Sequence, residues 1–132
     1  MVRATAWGWL IVCLGASAAS VAGQADGVVD SNAIINSRAA AKSGKATYLR
    51  LCQYCHGADG KALENIDFEA TNLTDPTLWR YGTEPPAIYS AISSGAGGDM
   101  PPFKTKLTER QIWELVAFIR SIGPEDKRPA AD

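Results

Sequence analysis

Two cysteines and the single histidine of the chain stand within one five-residue segment, Cys52-Gln53-Tyr54-Cys55-His56. Because positions i, i+3 and i+4 share one face of a helix, we expect the two thiols and the imidazole to face a common space. The whole chain has only 132 residues, with 12 glycines and 7 prolines, so loops take up much of its backbone. Its supply of apolar residues is thin for its size. We therefore predict that something other than regular secondary structure organises this fold.

The Cys-x-x-Cys-His spacing is the pattern of covalent c-type haem attachment. On one helical turn, two thiols can meet the two vinyl groups of a porphyrin while the imidazole beneath them reaches the iron. Thioether bonds hold the cofactor even where a domain is too small to enclose it fully. We predict one haem c, attached through Cys52 and Cys55, with His56 as an iron ligand and the haem as the missing core.

Three other uses of the motif fit the sequence less well. A dithiol redox pair normally opens a helix after a strand, whereas this motif closes a helical segment and no strand pattern is present. A structural zinc site needs four ligands, and beyond the N-terminal apolar segment only Cys52, Cys55 and His56 offer a thiol or an imidazole. A purely structural disulfide does not account for the adjacent histidine.

Electron-transfer haem needs a sixth iron ligand, and Met100 is the only methionine after the first residue. It lies in the loop Gly97-Gly98-Asp99-Met100-Pro101-Pro102-Phe103, off any predicted helix face. The glycines let the backbone approach a porphyrin closely, and the prolines stiffen the loop and lower the entropy lost on ordering it. We predict that Met100 is the second axial ligand. The competing interpretation is a methionine that fills space in the core.

Residues 1–23 read as a secretory signal peptide. Arg3 is their only charged residue, an apolar run extends from Gly8 to Ala19, and small residues follow as far as Gly23. The run is short for a bilayer span and no basic stop-transfer residues follow it, which favours cleavage over an uncleaved anchor. We therefore expect a periplasmic protein that has no membrane span after cleavage and is a monomer.

The rest of the chain is predicted to be one helical domain with two flanking segments. Residues 24–37 show no helical or strand period and are predicted to form a flexible arm, residues 38–123 the domain, and residues 124–132 a charged tail. The helices are expected over residues 38–52, 76–80 and 87–92, and from a capping box at Thr108 to Gly123. An extended loop is expected over residues 95–106.

These motifs make residues 38–122 similar to the class I monohaem c-type cytochromes. The resemblance is carried by Gly44 and Tyr48 ahead of Cys52–Gly57, by Thr71-Asn72-Leu73, by the loop from Gly98 to Phe103, and by a closing helix with Trp113 and Phe118. It implies an all-α fold in which short helices and long loops wrap around one covalently bound haem. It also implies that the first and last helices cross at Gly44, near Trp113, and that His56 and Met100 are the axial ligands.

One departure from the family concerns the hydrogen-bond partner of the proximal imidazole. A proline often precedes the mid-chain leucine in the family, and its carbonyl accepts the imidazole proton, whereas this chain has Ala70 and Thr71 there. Any backbone carbonyl can take this role, so the identity of the acceptor stays open. Trp79 and Arg80 are candidate donors to the haem propionates. The alternative is a short packed helix with an exposed arginine.

An iron with six ligand bonds has no vacant site for a substrate, so we expect a one-electron carrier and not an enzyme. A neutral thioether favours Fe(II), which indicates a comparatively high potential. The resemblance implies shuttling between a periplasmic dehydrogenase or membrane complex and a terminal oxidase or reductase. The net charge of −1 argues against nucleic acid as a partner. Two alternatives stay open: a cytochrome subunit of a larger oxidoreductase, and a haem enzyme or gas-binding protein with a displaceable methionine.

Overall fold

The regular elements in the part of the chain that the structure describes are helices, as the sequence predicts. The computed structural model describes residues 27–62 and 69–128, so the predicted signal peptide lies outside the described residues. The helices, in chain order, are α1 (Ser31–Ile35), α2 (Arg38–Leu51), α3 (Gln53–His56), α4 (Pro85–Ser94) and α5 (Glu109–Ile122). There are also two 3₁₀ turns, Pro76–Leu78 and Glu125–Lys127. The described residues contain no strand, only an isolated β-bridge between Ala96 and Met100.

Helices α2 and α5 cross at the centre of the molecule, and their ends follow the capping signals in the sequence. The Ser37 hydroxyl accepts the Ala40 N–H at the start of α2, and Thr108 forms the predicted capping box at the start of α5. A Cβ at Gly44 would overlap the Glu114 carbonyl, so only glycine allows the two backbones to come this close. The predicted crossing of the two helices at Gly44 is therefore confirmed, and the contact on α5 is Glu114, next to Trp113.

The core lies between α2, α4 and α5. Its four most deeply buried large side chains are Tyr48, Ile112, Leu115 and Val116. The Tyr48 ring packs against Phe118 with 4.9 Å between the ring centroids. Because all but one of these residues lie on α5, the strongly amphipathic closing helix supplies most of the surface on which the rest of the chain packs.

The prediction that residues 24–37 have no helical structure is wrong for α1. The Asp30 carboxylate accepts the Ala33 N–H over 3.1 Å and caps the helix, and Ile34 and Ile35 are buried against the rest of the core. The Arg120 guanidinium on α5 also donates to the Ile35 carbonyl over 3.2 Å. A helix of five residues is too short to show a helical period, so tertiary contacts with α5 stabilise it.

The loop over residues 95–106 is irregular, as predicted, and it is fastened to the end of α4. Phe103 N–H donates to the Ile92 carbonyl over 3.0 Å, and Lys104 N–H donates to the Ser93 carbonyl over 3.1 Å. Gly95 ends α4 with φ +84°, and a Cβ there would lie 2.7 Å from the Met100 carbonyl oxygen. The loop is therefore folded back tightly around Met100.

Candidate haem site

The Cys-x-x-Cys-His segment forms a single turn at the end of α2. The sequence predicts that α2 continues through Cys52, but the helix ends at Leu51, and Cys52 joins it to the short α3. The N–H groups of Cys55 and His56 donate to the Cys52 carbonyl over 3.2 Å and 3.0 Å. This turn preserves the expected arrangement, in which both thiols and the imidazole belong to one helical turn.

The His56 ring is oriented by a backbone carbonyl. Its Nδ1–H donates to the Thr71 carbonyl over 3.0 Å, so the open choice between Ala70 and Thr71 is decided in favour of Thr71. Burial lowers the pKa of His56, and the bond to Thr71 raises it only in part. The ring is therefore neutral near pH 7, and with its proton on Nδ1 it keeps an unprotonated Nε2 available to a metal.

All six residues that the sequence assigns to the cofactor line one of two adjoining cavities. The larger cavity, of about 690 Å³, includes Cys55, and the smaller one, of about 90 Å³, includes Trp79. The other four line both cavities: Cys52, His56, Arg80 and Met100. A volume of this order is typical of sites for drug-sized ligands and cofactors. The fold therefore brings together the Cys52 turn and the Met100 loop, which lie far apart in the sequence.

The inner part of the site is apolar. Ile88 and Ile92 from α4 and Leu115 and Ile119 from α5 line the smaller cavity, together with the buried ring of Phe103. Burial raises the pKa of the Cys52 thiol to about 11, and the neighbouring Cys55 adds to this shift. The Cys52 thiol is therefore neutral at pH 7 in this environment.

The two residues predicted as donors to the haem propionates, Trp79 and Arg80, both line the smaller cavity. The indole Nε1–H of Trp79 donates to the Asn72 carbonyl over 2.9 Å, and its bond to a propionate stays a prediction. Arg80 is exposed at the rim, and none of the ion pairs within the described ranges involves it.

Tyr48, which the sequence marks only as part of the family resemblance, is also a residue of the site. Its side chain is 0% exposed and lines the smaller cavity, and its hydroxyl donates to the Gly57 carbonyl over 2.6 Å. This bond ties α2 to the backbone that follows His56. Its position four residues before Cys52, on the same helical face, is the sequence signal that points to it.

The side chains at the site fit a haem. In the described ranges no group of three or more His, Cys, Asp or Glu side chains could hold a metal ion alone. The donors at the cavity are instead two thiols, one neutral imidazole and one thioether, within apolar walls. The two thiols suit thioether attachment, and the imidazole and thioether suit an iron that a porphyrin already holds through its own nitrogens.

The chain is similar to cytochrome subunits of oxidases. It is 34% identical over 84 residues to the cbb3-type cytochrome c oxidase subunit FixP of Azorhizobium caulinodans, and 34% identical over 90 residues to subunit CcoP of Rhodobacter capsulatus. These matches cover 64% and 63% of this chain but only 28% and 29% of the relatives. The chain thus spans little more than a quarter of the length of these relatives.

Solved c-type cytochromes share the fold. The KustC0563 c-type cytochrome has 32% identity and a TM-score of 0.54, and the match covers 61% of this chain and 98% of that one. Cytochrome cL from Methylophaga aminisulfidivorans has 26% identity and a TM-score of 0.55, with 70% and 61% covered. The sequence model of cytochrome c oxidase, cbb3-type, subunit III matches residues 39–119. The chain therefore belongs to this family, as a class I c-type cytochrome domain, whose cofactor is haem c.

Proposed function

We propose that this chain binds one haem c through Cys52 and Cys55, with His56 and Met100 as axial iron ligands, and that it transfers single electrons. The observation that carries the proposal is the orientation of His56. Its Nδ1–H donates to Thr71, so Nε2 is the nitrogen left for the iron, in a cavity that Cys52 and Met100 also line. The bound haem would supply the change between Fe(II) and Fe(III).

The residues at the site favour electron transfer over catalysis. With an imidazole and a thioether bound, the iron has no open position for a substrate. The Met100 loop is fastened to α4 at two backbone hydrogen bonds, through Phe103 and Lys104, which opposes displacement of the thioether. A neutral thioether also favours Fe(II), so we expect a comparatively high reduction potential.

We propose that the chain acts as the cytochrome component of a larger respiratory oxidoreductase. Its similarity to proteins named as subunits of cbb3-type cytochrome c oxidases supports this setting. The second candidate is a free periplasmic carrier between a dehydrogenase or membrane complex and a terminal oxidase or reductase. It is favoured by the KustC0563 cytochrome, 98% of whose chain is covered by the match to this one.

The chain organisation that we propose places the domain outside the cytoplasmic membrane. Residues 1–23 would direct export as a signal peptide, residues 38–123 would form the cytochrome domain, and residues 24–37 and 124–132 would flank it. No helix within the described ranges has the length and apolar character needed to cross a membrane. Periplasmic redox proteins are then the partners that can reach the haem.

Visible spectroscopy of the protein matured with a haem-attachment system tests cofactor, attachment and ligation together. We expect a low-spin spectrum in both redox states, a weak far-red band of methionine-bound Fe(III), and haem that stays with the protein in acidified acetone. Colourless protein after extraction would refute covalent attachment. Carbon monoxide binding by the unmodified ferrous protein would instead support the haem enzyme or gas-binding alternative.

The two settings for electron transfer can be separated in the native host. A tagged chain purified in mild detergent should elute from size-exclusion chromatography with other redox subunits if it is a component of an oxidoreductase. Elution of all the haem-stained chain at its own mass of 14.0 kDa or slightly below would favour the free carrier.

A further inference from the structure

The carbonyl that accepts the His56 proton belongs to a segment that also accepts a hydrogen bond from Trp79. The Trp79 indole N–H donates to the Asn72 carbonyl over 2.9 Å, and the preceding Thr71 carbonyl accepts from His56 Nδ1–H over 3.0 Å. We infer that Trp79 is a positioning residue for His56, because its indole N–H fixes the Thr71-Asn72 backbone and so presents the Thr71 carbonyl to the imidazole. This inference rests on the proposed role of His56 as an iron ligand.

The Thr71 segment needs such support because nothing regular holds it. Residues 69–75 lie outside any helix, and the chain has no proline at 70 or 71 to restrict the backbone. Asn72 Oδ1 accepts from the Thr74 N–H over 2.8 Å, which shapes the turn locally. Leu73 N–H donates to the Gly60 carbonyl over 2.7 Å. Neither bond engages the two carbonyls on either side of the Asn72 Cα.

Apart from His56 itself, Trp79 is the one side chain that donates to residues 71–74 from elsewhere in the described ranges. It is well placed to do so, because it follows the 3₁₀ turn Pro76–Leu78, which Asp75 caps by accepting the Thr77 N–H over 3.0 Å. The Trp79 ring is partly buried and packs against the main core cluster. A donor anchored in this way restricts its acceptor at little further cost in entropy.

The bond from His56 to Thr71 matters for the iron because hydrogen bonding at Nδ1 makes an imidazole a stronger donor at Nε2. A stronger donor favours Fe(III) and lowers the reduction potential. If the Asn72 segment is released, the Thr71 carbonyl moves more freely and the hydrogen bond weakens. Loss of the Trp79 donor should therefore raise the midpoint potential and expose the His56 Nδ1–H to solvent exchange.

Two replacements of Trp79 separate its hydrogen bond from its packing. Trp79→Phe removes both the donor and part of the ring. Site-specific incorporation of β-(3-benzothienyl)alanine at position 79 keeps the ring shape and replaces N–H by sulfur. Trp113→Phe is the matched control, because Trp113 stacks on Tyr89 with 4.4 Å between ring centroids and has no part in the Asn72 network. All variants are prepared as the holoprotein.

The measurements are hydrogen exchange of the His56 Nδ1–H, followed by NMR of the diamagnetic ferrous protein, and the midpoint potential. Losing one hydrogen bond that restrains the acceptor should speed the exchange by roughly ten-fold. We expect both Trp79 replacements to show this acceleration with a raised potential, and Trp113→Phe to show neither. The benzothienyl variant keeps the core packed, so its exchange rate and midpoint potential test the inference even if Trp79→Phe does not fold.

The possible failures are distinguishable. Unchanged exchange and potential in the benzothienyl variant, with a normal histidine and methionine spectrum, would overturn the role of Trp79 and leave the proposed function intact. A spectrum of the unmodified protein without histidine ligation would overturn the proposed function, and this inference with it. Equal acceleration in Trp113→Phe would also overturn the inference, because the effect would then reflect general loosening of the core.

Discussion

The buried hydroxyl of Tyr48 gives the sharpest test of how the helical core supports the site. Tyr48→Phe removes a donor that lies 2.6 Å from the Gly57 carbonyl and leaves the ring against Phe118. The Gly57 carbonyl also accepts the Gly60 N–H over 3.2 Å, so the loss leaves it with one partner instead of none. We therefore place the cost in the lower part of the range for a buried hydrogen bond, at about 1–2 kcal/mol of unfolding free energy.

Thermal and denaturant unfolding of the holoprotein, followed by circular dichroism, measures this cost. Each kcal/mol lowers Tm by about 4–8 °C in a domain of this size. Tyr89→Phe is the matched control, because Tyr89 lines neither cavity and its ring, which the change keeps, stacks on Trp113. A Tyr48→Phe protein that unfolds together with the control would refute the argument that the hydroxyl stabilises the turn after His56.

The same hydroxyl predicts a dependence on pH. Burial is the largest cause that raises the pKa of Tyr48 above its ordinary value, and Cys52 and Asp59 add to it. The folded state therefore holds this proton after the unfolded chain has released it, so the stabilisation is complete below pH about 10 and declines as the pH rises further. The difference in unfolding free energy between the unmodified protein and Tyr48→Phe should shrink above that pH. A difference that grows there would show the opposite sign of linkage.

Three further predictions concern the iron ligand, the helix crossing and the docking of partners. Met100→His should keep six-coordinate iron but lower the midpoint potential by on the order of 0.1 V, because imidazole favours Fe(III); an unchanged potential in voltammetry would show that Met100 is not a ligand. Gly44→Ala should lower the free energy of unfolding by about 1–3 kcal/mol, because the added Cβ meets the α5 backbone, although alanine has the better helix propensity. Ala46→Gly, on the exposed face of α2, measures the effect of helix propensity alone, and urea unfolding compares the two variants. Substitution of the exposed Lys104 and Lys106 by glutamate should slow electron transfer to an acidic partner at low salt but not at high salt, as measured by stopped flow. If the variant and the unmodified protein react at the same rate at low salt, neither lysine belongs to the docking surface.

The sequence was most informative where a short segment has a strict chemical requirement. Cys52, Cys55 and His56 need only one helical turn to face the same space, and the spacing alone predicts that turn. The Thr108 capping box likewise predicts the start of α5 from side chains three residues apart. In both cases the interacting groups are close in sequence, so local geometry is sufficient.

The sequence was least informative where distant segments meet. Residues 31–35 carry no helical period, and α1 forms because Ile34 and Ile35 are buried and Arg120 donates to the Ile35 carbonyl. Nor did the sequence indicate Asn72 as an acceptor for Trp79. Its indole N–H satisfies the Asn72 carbonyl within the protein, and no local pattern reports which carbonyl a loop will leave within reach.

The amino-acid sequence by itself determined the haem-attachment motif, the all-α class and the candidate ligands, because each depends on residue type and short spacing. Only the tertiary structure decided that Thr71 accepts the His56 proton, that Tyr48 ties α2 to the turn after His56, and that Met100 lines the same cavity as Cys52. These contacts join segments separated by loops. The distances in these contacts depend on how each segment packs against α5, and therefore on the fold of the whole domain.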